Sequence, residues 1–185
     1  VAENFLILRK IMDAIMDNST GKVKLDDFHL KEIPEDKIKE IEKEVEIVGD
    51  KFFDNIPLYP GVDPLKKDVK EAMINNRWEP TLTILGIDNC PQINENGFYA
   101  KKSMSARISM RIPPGIDVKK ALESLKKCVE DNIYFKAKVE IEVWCFEGWE
   151  LKKFSDRMKT ILNQGSKEFF GNELCFRGEG GSLPF

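Results

Sequence analysis

Ser103-Met104-Ser105-Ala106-Arg107-Ile108-Ser109-Met110-Arg111-Ile112-Pro113-Pro114-Gly115 is the stretch on which the fold of this 185-residue chain turns. Met104, Ala106, Ile108, Met110 and Ile112 fall on one side of a two-residue period, and Ser103, Ser105, Arg107, Ser109 and Arg111 on the other. Successive side chains of a strand point to opposite faces, so the run predicts a strand with one face on a core and one face wet. Pro113 and Pro114 end it because proline has no N–H to give to a ladder. Asp117 then suits the N-cap of a helix whose apolar face is Val118, Ala121, Leu122, Leu125, Cys128 and Val129.

Outward from this centre the pattern repeats. Downstream, Val139, Ile141, Val143 and Cys145 alternate with Lys138, Glu140 and Glu142, which predicts another strand. Upstream, Thr81-Leu82-Thr83-Ile84-Leu85 follows Pro80 with the same short period. Before it, residues from about 30 to 77 are charged and helix-prone. Ile38, Ile41, Val45 and Val48 share one face there, and Pro57, Pro60, Gly61 and Pro64 break the run, so we read a helical insertion. At the start, Phe5, Leu8, Ile11, Met12, Ile15 and Met16 form one stripe, predicting an amphipathic helix from Glu3 to Met16.

Helix, strand, strand, helix, strand is the order of a ferredoxin-like βαββαβ unit without its first strand, an α+β fold. That first strand is central in the topology. The sheet is therefore expected to carry a gap, or to have the place filled by another segment, another chain or a partner protomer. After Gly148 a third helix is expected, with Leu151, Phe154, Met158, Ile161 and Leu162 on one side and fraying at Gly165. A short strand, Leu174-Cys175-Phe176, then runs into the glycine loop Arg177-Gly178-Glu179-Gly180-Gly181-Ser182-Leu183-Pro184. Val1 already lies inside a helical pattern and Phe185 follows an apolar pair, so neither end reads as a natural terminus.

Composition narrows the function. A formal net charge of −3, with Lys and Arg scattered among Asp and Glu, leaves no basic excess for phosphates and argues against nucleic acid. No run approaches the ~20 apolar residues of a membrane span. Cys90, Cys128, Cys145 and Cys175 are far apart without a C-x-x-C pair, and read as reduced, mostly buried thiols of a cytoplasmic protein. The one histidine, His29, sits among Asp26, Asp27 and Lys31 and reads as a surface residue rather than a metal ligand.

Three segments give the chain a resemblance to the carnosinase-like, cytosolic non-specific dipeptidase branch of the dinuclear zinc metallopeptidases, a group that also holds acylases, deacetylases and desuccinylases. Arg77-Trp78-Glu79-Pro80-Thr81-Leu82-Thr83-Ile84-Leu85-Gly86-Ile87 is similar to the family's R-W-x-P-S/T-L-x-x-x-G-I. Ala106-Arg107-Ile108-Ser109-Met110-Arg111-Ile112-Pro113-Pro114 is similar to its K-x-S-x-R-x-x-P strand end, and Glu179-Gly180-Gly181-Ser182-Leu183-Pro184 to E-G-G-S-I-P. The resemblance implies a two-domain enzyme hydrolysing a peptide or N-acyl amino acid amide bond with two zinc ions. Residues 1–147 would be its lid and homodimerisation domain, with the helical insertion at about 30–77. Residues 148–185 would return to the catalytic α/β domain. The zinc ligands and the glutamate base would lie outside this chain.

The resemblance also assigns substrate binding to Arg111, Gly180, Gly181 and Ser182. Arg111 would offer a planar, two-pronged donor to a substrate carboxylate or to the tetrahedral intermediate. The glycines and Ser182 would present backbone N–H groups and a hydroxyl to a bound peptide. Three positions depart from the pattern. Gly178 stands where relatives have Arg, with Arg177 displaced by one; Phe98 stands where relatives have a Thr used across the dimer; and no His occurs near Phe146 to Trp149. The rival from another class is a stand-alone dimerisation or amino-acid-binding module that kept the lid and lost catalysis.

Overall fold

The computed structural model describes residues 3–90 and 101–178 of the chain. It is an α+β structure that divides into two compact units, one from Val1–Leu30 and Glu79–Gly148, the other from Lys31–Trp78 and Trp149–Phe185. The division falls close to the boundaries of the charged helical stretch. That stretch clusters with the C-terminal segment rather than with the strands.

In the first unit, helix α1 (Asn4–Ile15) buries Ile11, Met12 and Ile15, the stripe its sequence spacing dictates. Ile11 and Ile15 pack with Val23, Leu25 and Phe28 from the following turn and with Ala121 and Val129 of a later helix. Ile15 and Val23 are each 1% exposed, so each contributes about 1.5–3 kcal/mol of transfer free energy to this core. Strands β1 (Thr81–Asp88) and β2 (Ser105–Arg111) pair antiparallel, lending Leu82 and Met110 to the same core. The register shifts between Ile84 and Gly86, a bulge that leaves Leu85 without a partner. The predicted alternation of β2 is seen from Ser105 to Ile108 and at Arg111 but not at Ser109, which is half-buried like Ile108 and Met110 beside it.

The second unit is helical. Helix α2 (Glu35–Val48) and helix α3 (Val69–Arg77) close on a small core of Ile41, Val69 and Met73, joined by a 3-10 turn at Gly49–Asn55. Asp68 caps α3 by accepting from the Glu71 amide at 2.8 Å. In the first unit, helix α4 (Val118–Asp131) is capped as expected, with Asp117 accepting from the Lys119 and Lys120 amides at 3.1 and 3.2 Å. Helix α5 (Asp156–Phe170), in the second unit, has no buried residue.

Four expectations need correction. Residues 138–145 form no ladder, so the predicted third strand is absent and the described sheet has two strands, β1 and β2. Leu174–Phe176 is likewise unpaired with any strand. In both, no backbone among the described residues pairs with the apolar run. Helix α5 starts at Asp156, after Leu151 and Phe154, and continues through Gly165 without fraying until Gly171 takes a left-handed φ of 71°. None of the four cysteines is buried: Cys90 and Cys145 are exposed, and Cys128 and Cys175 half-buried, all free thiols.

Candidate functional site

Arg111 closes β2 opposite Thr81, on the wet face and exposed. A Cβ built on Gly148 would lie 2.8 Å from Pro114 Cα and 3.1 Å from the Pro113 carbonyl oxygen. Only glycine lets the chain at 146–148 come this close to the turn after Arg111. The histidine-lacking segment of the sequence thus borders the Arg111 end of the strand. Of the other predicted site residues, Gly180, Gly181 and Ser182 lie outside the described residues, as does Phe98.

The approach to the glycine loop is described, and side chains of α2 and α5 hold it. Lys43 donates to the Leu174 carbonyl at 2.9 Å, and the Leu174 amide donates to Asn163 Oδ1 at 2.8 Å. Next to Lys43, Glu44 receives both guanidinium nitrogens of Arg77, at 2.6 and 2.9 Å. The pair is deep: the side chains of Arg77 and Glu44 are 7% and 5% exposed. Arg177 brings its Nε to 3.5 Å from the same carboxylate. Gly178 lies on the Arg77 stem, where an added Cβ would be 3.3 Å from Cδ. Sequence reasoning matched Arg77 to a motif but missed this pair; Glu44 on the apolar side of α2, three residues after Ile41, was the signal.

His29 corrects another expectation. Its side chain is 19% exposed, and both ring nitrogens face acceptors: Nδ1 is 3.0 Å from Glu79 Oε2 and Nε2 is 2.8 Å from the Val23 carbonyl. It ties the turn after α1 to the start of β1. An open depression of about 540 Å³ beside it, bordered by Asp17, Lys22, Lys24 and Asp26, does not include Arg111. Burial pushes the Cys128 and Cys175 thiols up, with Asp131 and Glu44 adding to the effect respectively, so neither is prepared as a nucleophile. Among the described residues no three of His, Cys, Asp and Glu gather as a metal site would require. This donor set does not fit a dinuclear zinc centre, and no metal-dependent step is assigned to it.

No family model and no curated protein matches the chain by sequence. Its fold, however, is that of part of a solved class of peptidases. The chain superposes on the dipeptidase Dug1p from Saccharomyces cerevisiae with a TM-score of 0.69 at 17% identity, and on human carnosine dipeptidase 1 with 0.68 at 16%. The M20 family metallo-carboxypeptidase Sso-CP2 from Sulfolobus solfataricus gives 0.71 at 20%. Each match covers 100% of this chain but 38%, 39% and 41% of the respective structure. The chain therefore spans about two fifths of the length of the structures it matches, and at these identities the likeness is one of fold. No helix among the described residues is long and apolar enough to cross a membrane.

Proposed function

We propose that this chain is part of a cytoplasmic zinc-dependent metallopeptidase of the carnosinase-like dipeptidase branch, hydrolysing a peptide or N-acyl amino acid amide bond. The observation that carries the reading is the match of its whole length to part of three peptidases. The three sequence motifs support it independently. In this reading residues 1–147 make a ferredoxin-like lid through which the enzyme forms a homodimer, and residues 148–185 return to the catalytic domain. The chain supplies substrate-holding groups, and the ligands of two zinc ions belong to the rest of the protein.

Arg111 is suited to its part by exposure at a strand end whose backbone is pinned by Pro113, Pro114 and Gly148. A guanidinium held this way can meet a carboxylate or a developing oxyanion with two parallel donors. Gly180, Gly181 and Ser182 would add N–H and hydroxyl donors along the peptide. The gain from all four is orientation of the bond to be broken. The ferredoxin-like reading also supplies a reason for the unpaired segment at 138–145: in that topology its only neighbour is the first strand, which this chain lacks.

Assay of the zinc-loaded full-length protein against dipeptides and N-acyl amino acids tests the reading. Hydrolysis is expected, with Arg111→Ala lowering kcat/KM by about 10²-fold, the usual loss for one oriented donor. The isolated 185 residues with added zinc should be inactive. No hydrolysis of either substrate class, or an unaltered Arg111→Ala enzyme, would refute it.

A further inference from the structure

The Glu44–Arg77 pair raises a question of purpose. Taking two charges out of water is costly, so a buried ion pair stabilises little compared with apolar residues of the same size, while leaving one partner alone is strongly destabilising. Here the pair is bidentate and nearly inaccessible, and its carboxylate is also approached by a second guanidinium, from Arg177. The groups in contact with it on the outer side are consecutive: Arg177 on the Glu44 carboxylate and Gly178 on the Arg77 stem. Four residues upstream of Gly178, Lys43 holds the Leu174 carbonyl. The chain is thus tied at 174 and 177, with Gly178 close to the Arg77 stem, immediately before Glu179-Gly180-Gly181-Ser182.

We propose that Glu44 and Arg77 form an internal clamp that sets the starting point of the substrate loop through Arg177 and Gly178. Glu44, Arg77, Arg177 and Gly178 are then positioning residues for the peptide substrate. The inference rests on the peptidase reading above. It also accounts for the displaced arginine: with Gly178 on the Arg77 stem, a long side chain there would collide with the clamp, and one residue earlier an arginine reaches the carboxylate.

The test uses the zinc-loaded full-length enzyme with a dipeptide substrate. Arg177 is 65% exposed, so Arg177→Ala should leave the melting temperature unchanged while raising KM about tenfold and altering kcat less than about threefold. Arg177→Lys should recover much of the loss, and Gly178→Ala should act in the same direction by displacing the Arg77 stem. Amide exchange at residues 179–182 should quicken in Arg177→Ala. If Arg177→Ala and Gly178→Ala keep kcat/KM within about twofold while Ser182→Ala lowers it at least about tenfold, the clamp is wrong and the peptidase reading stands. A fall in melting temperature without a change in KM would make Arg177 merely structural and also overturn the proposal. Silent Ser182→Ala and Arg111→Ala variants would remove the peptidase reading, and the clamp with it.

Discussion

Met104, Ala106, Ile108, Met110 and Ile112 alternate with polar neighbours in one segment of the first unit, and Val139, Ile141, Val143 and Cys145 do so in another, yet only the first is hydrogen-bonded into a sheet. The second keeps a trace of its intended face. Val139 packs on the core, and Ile141 and Val143 are each 36% exposed, against 85% for Trp144 and for Phe146. Alternation in a sequence therefore records which side faces the core. A ladder needs a partner backbone as well, and β2 finds one in β1. A segment without one leaves its N–H and C=O groups to water.

The largest expected effect comes from restoring the partner. In the full-length protein, amides of residues 138–145 should exchange at least about 10³-fold more slowly than in the isolated chain, about 4 kcal/mol of protection. Amides of β2 should gain less, since one edge is already paired. Equal exchange in the two proteins would break the comparison and, with it, the ferredoxin-like reading.

The same contrast says what was legible in the sequence. Helices α1, α2 and α4 and the strand pair could be read because each carries its periodicity and its stop signals locally, as Asp117 and Pro113-Pro114 show. Residues 138–145 could be read as amphipathic but not as unpaired, because pairing depends on a segment elsewhere. Arg111 was legible as the wet end of a strand. The clamp was not, because Glu44, Arg77 and Arg177 are far apart in sequence, and the place of Glu44 on the apolar side of α2 marks a buried carboxylate without naming its partners. His29 failed similarly: its partners Val23 and Glu79 flank a long excursion, so local composition gave only a polar turn.

Two glycines, Gly148 just after the unpaired segment and Gly165 inside α5, sharpen the comparison. Gly148→Ala puts a methyl 2.8 Å from the backbone of Pro114, which cannot swing aside as a side chain could, and should cost about 1–3 kcal/mol. Gly165 lies inside α5 with nothing within 4 Å of its Cβ position. Gly165→Ala should stabilise by about 0.5–1 kcal/mol through helix propensity alone. Thermal unfolding of the two variants should therefore shift in opposite directions. A neutral Gly148→Ala would mean that residues 146–148 are not held against the turn after Arg111.

The smallest effect concerns Leu174–Phe176, the other apolar run without a strand partner, which is anchored by side chains instead of a ladder. Glu173 receives Lys167 at 2.8 Å and Lys43 at 3.4 Å. The hydrogen bond from Lys167, its charge, and then Lys43 hold the Glu173 carboxyl below the usual glutamate range. A pKa lowered on folding means that the unfolded chain takes up the proton first as the solution is acidified. The contribution is therefore complete above the unfolded value of about 4.3 and is lost as pH falls through the folded one. The groups are exposed, so the effect is small and should shrink in high salt. Glu173→Gln should flatten the acid-side dependence of the melting temperature while changing it little at neutral pH. A slope that persists unchanged in that variant would assign the acid sensitivity elsewhere and leave this segment held by Lys43 and Asn163 through its backbone alone.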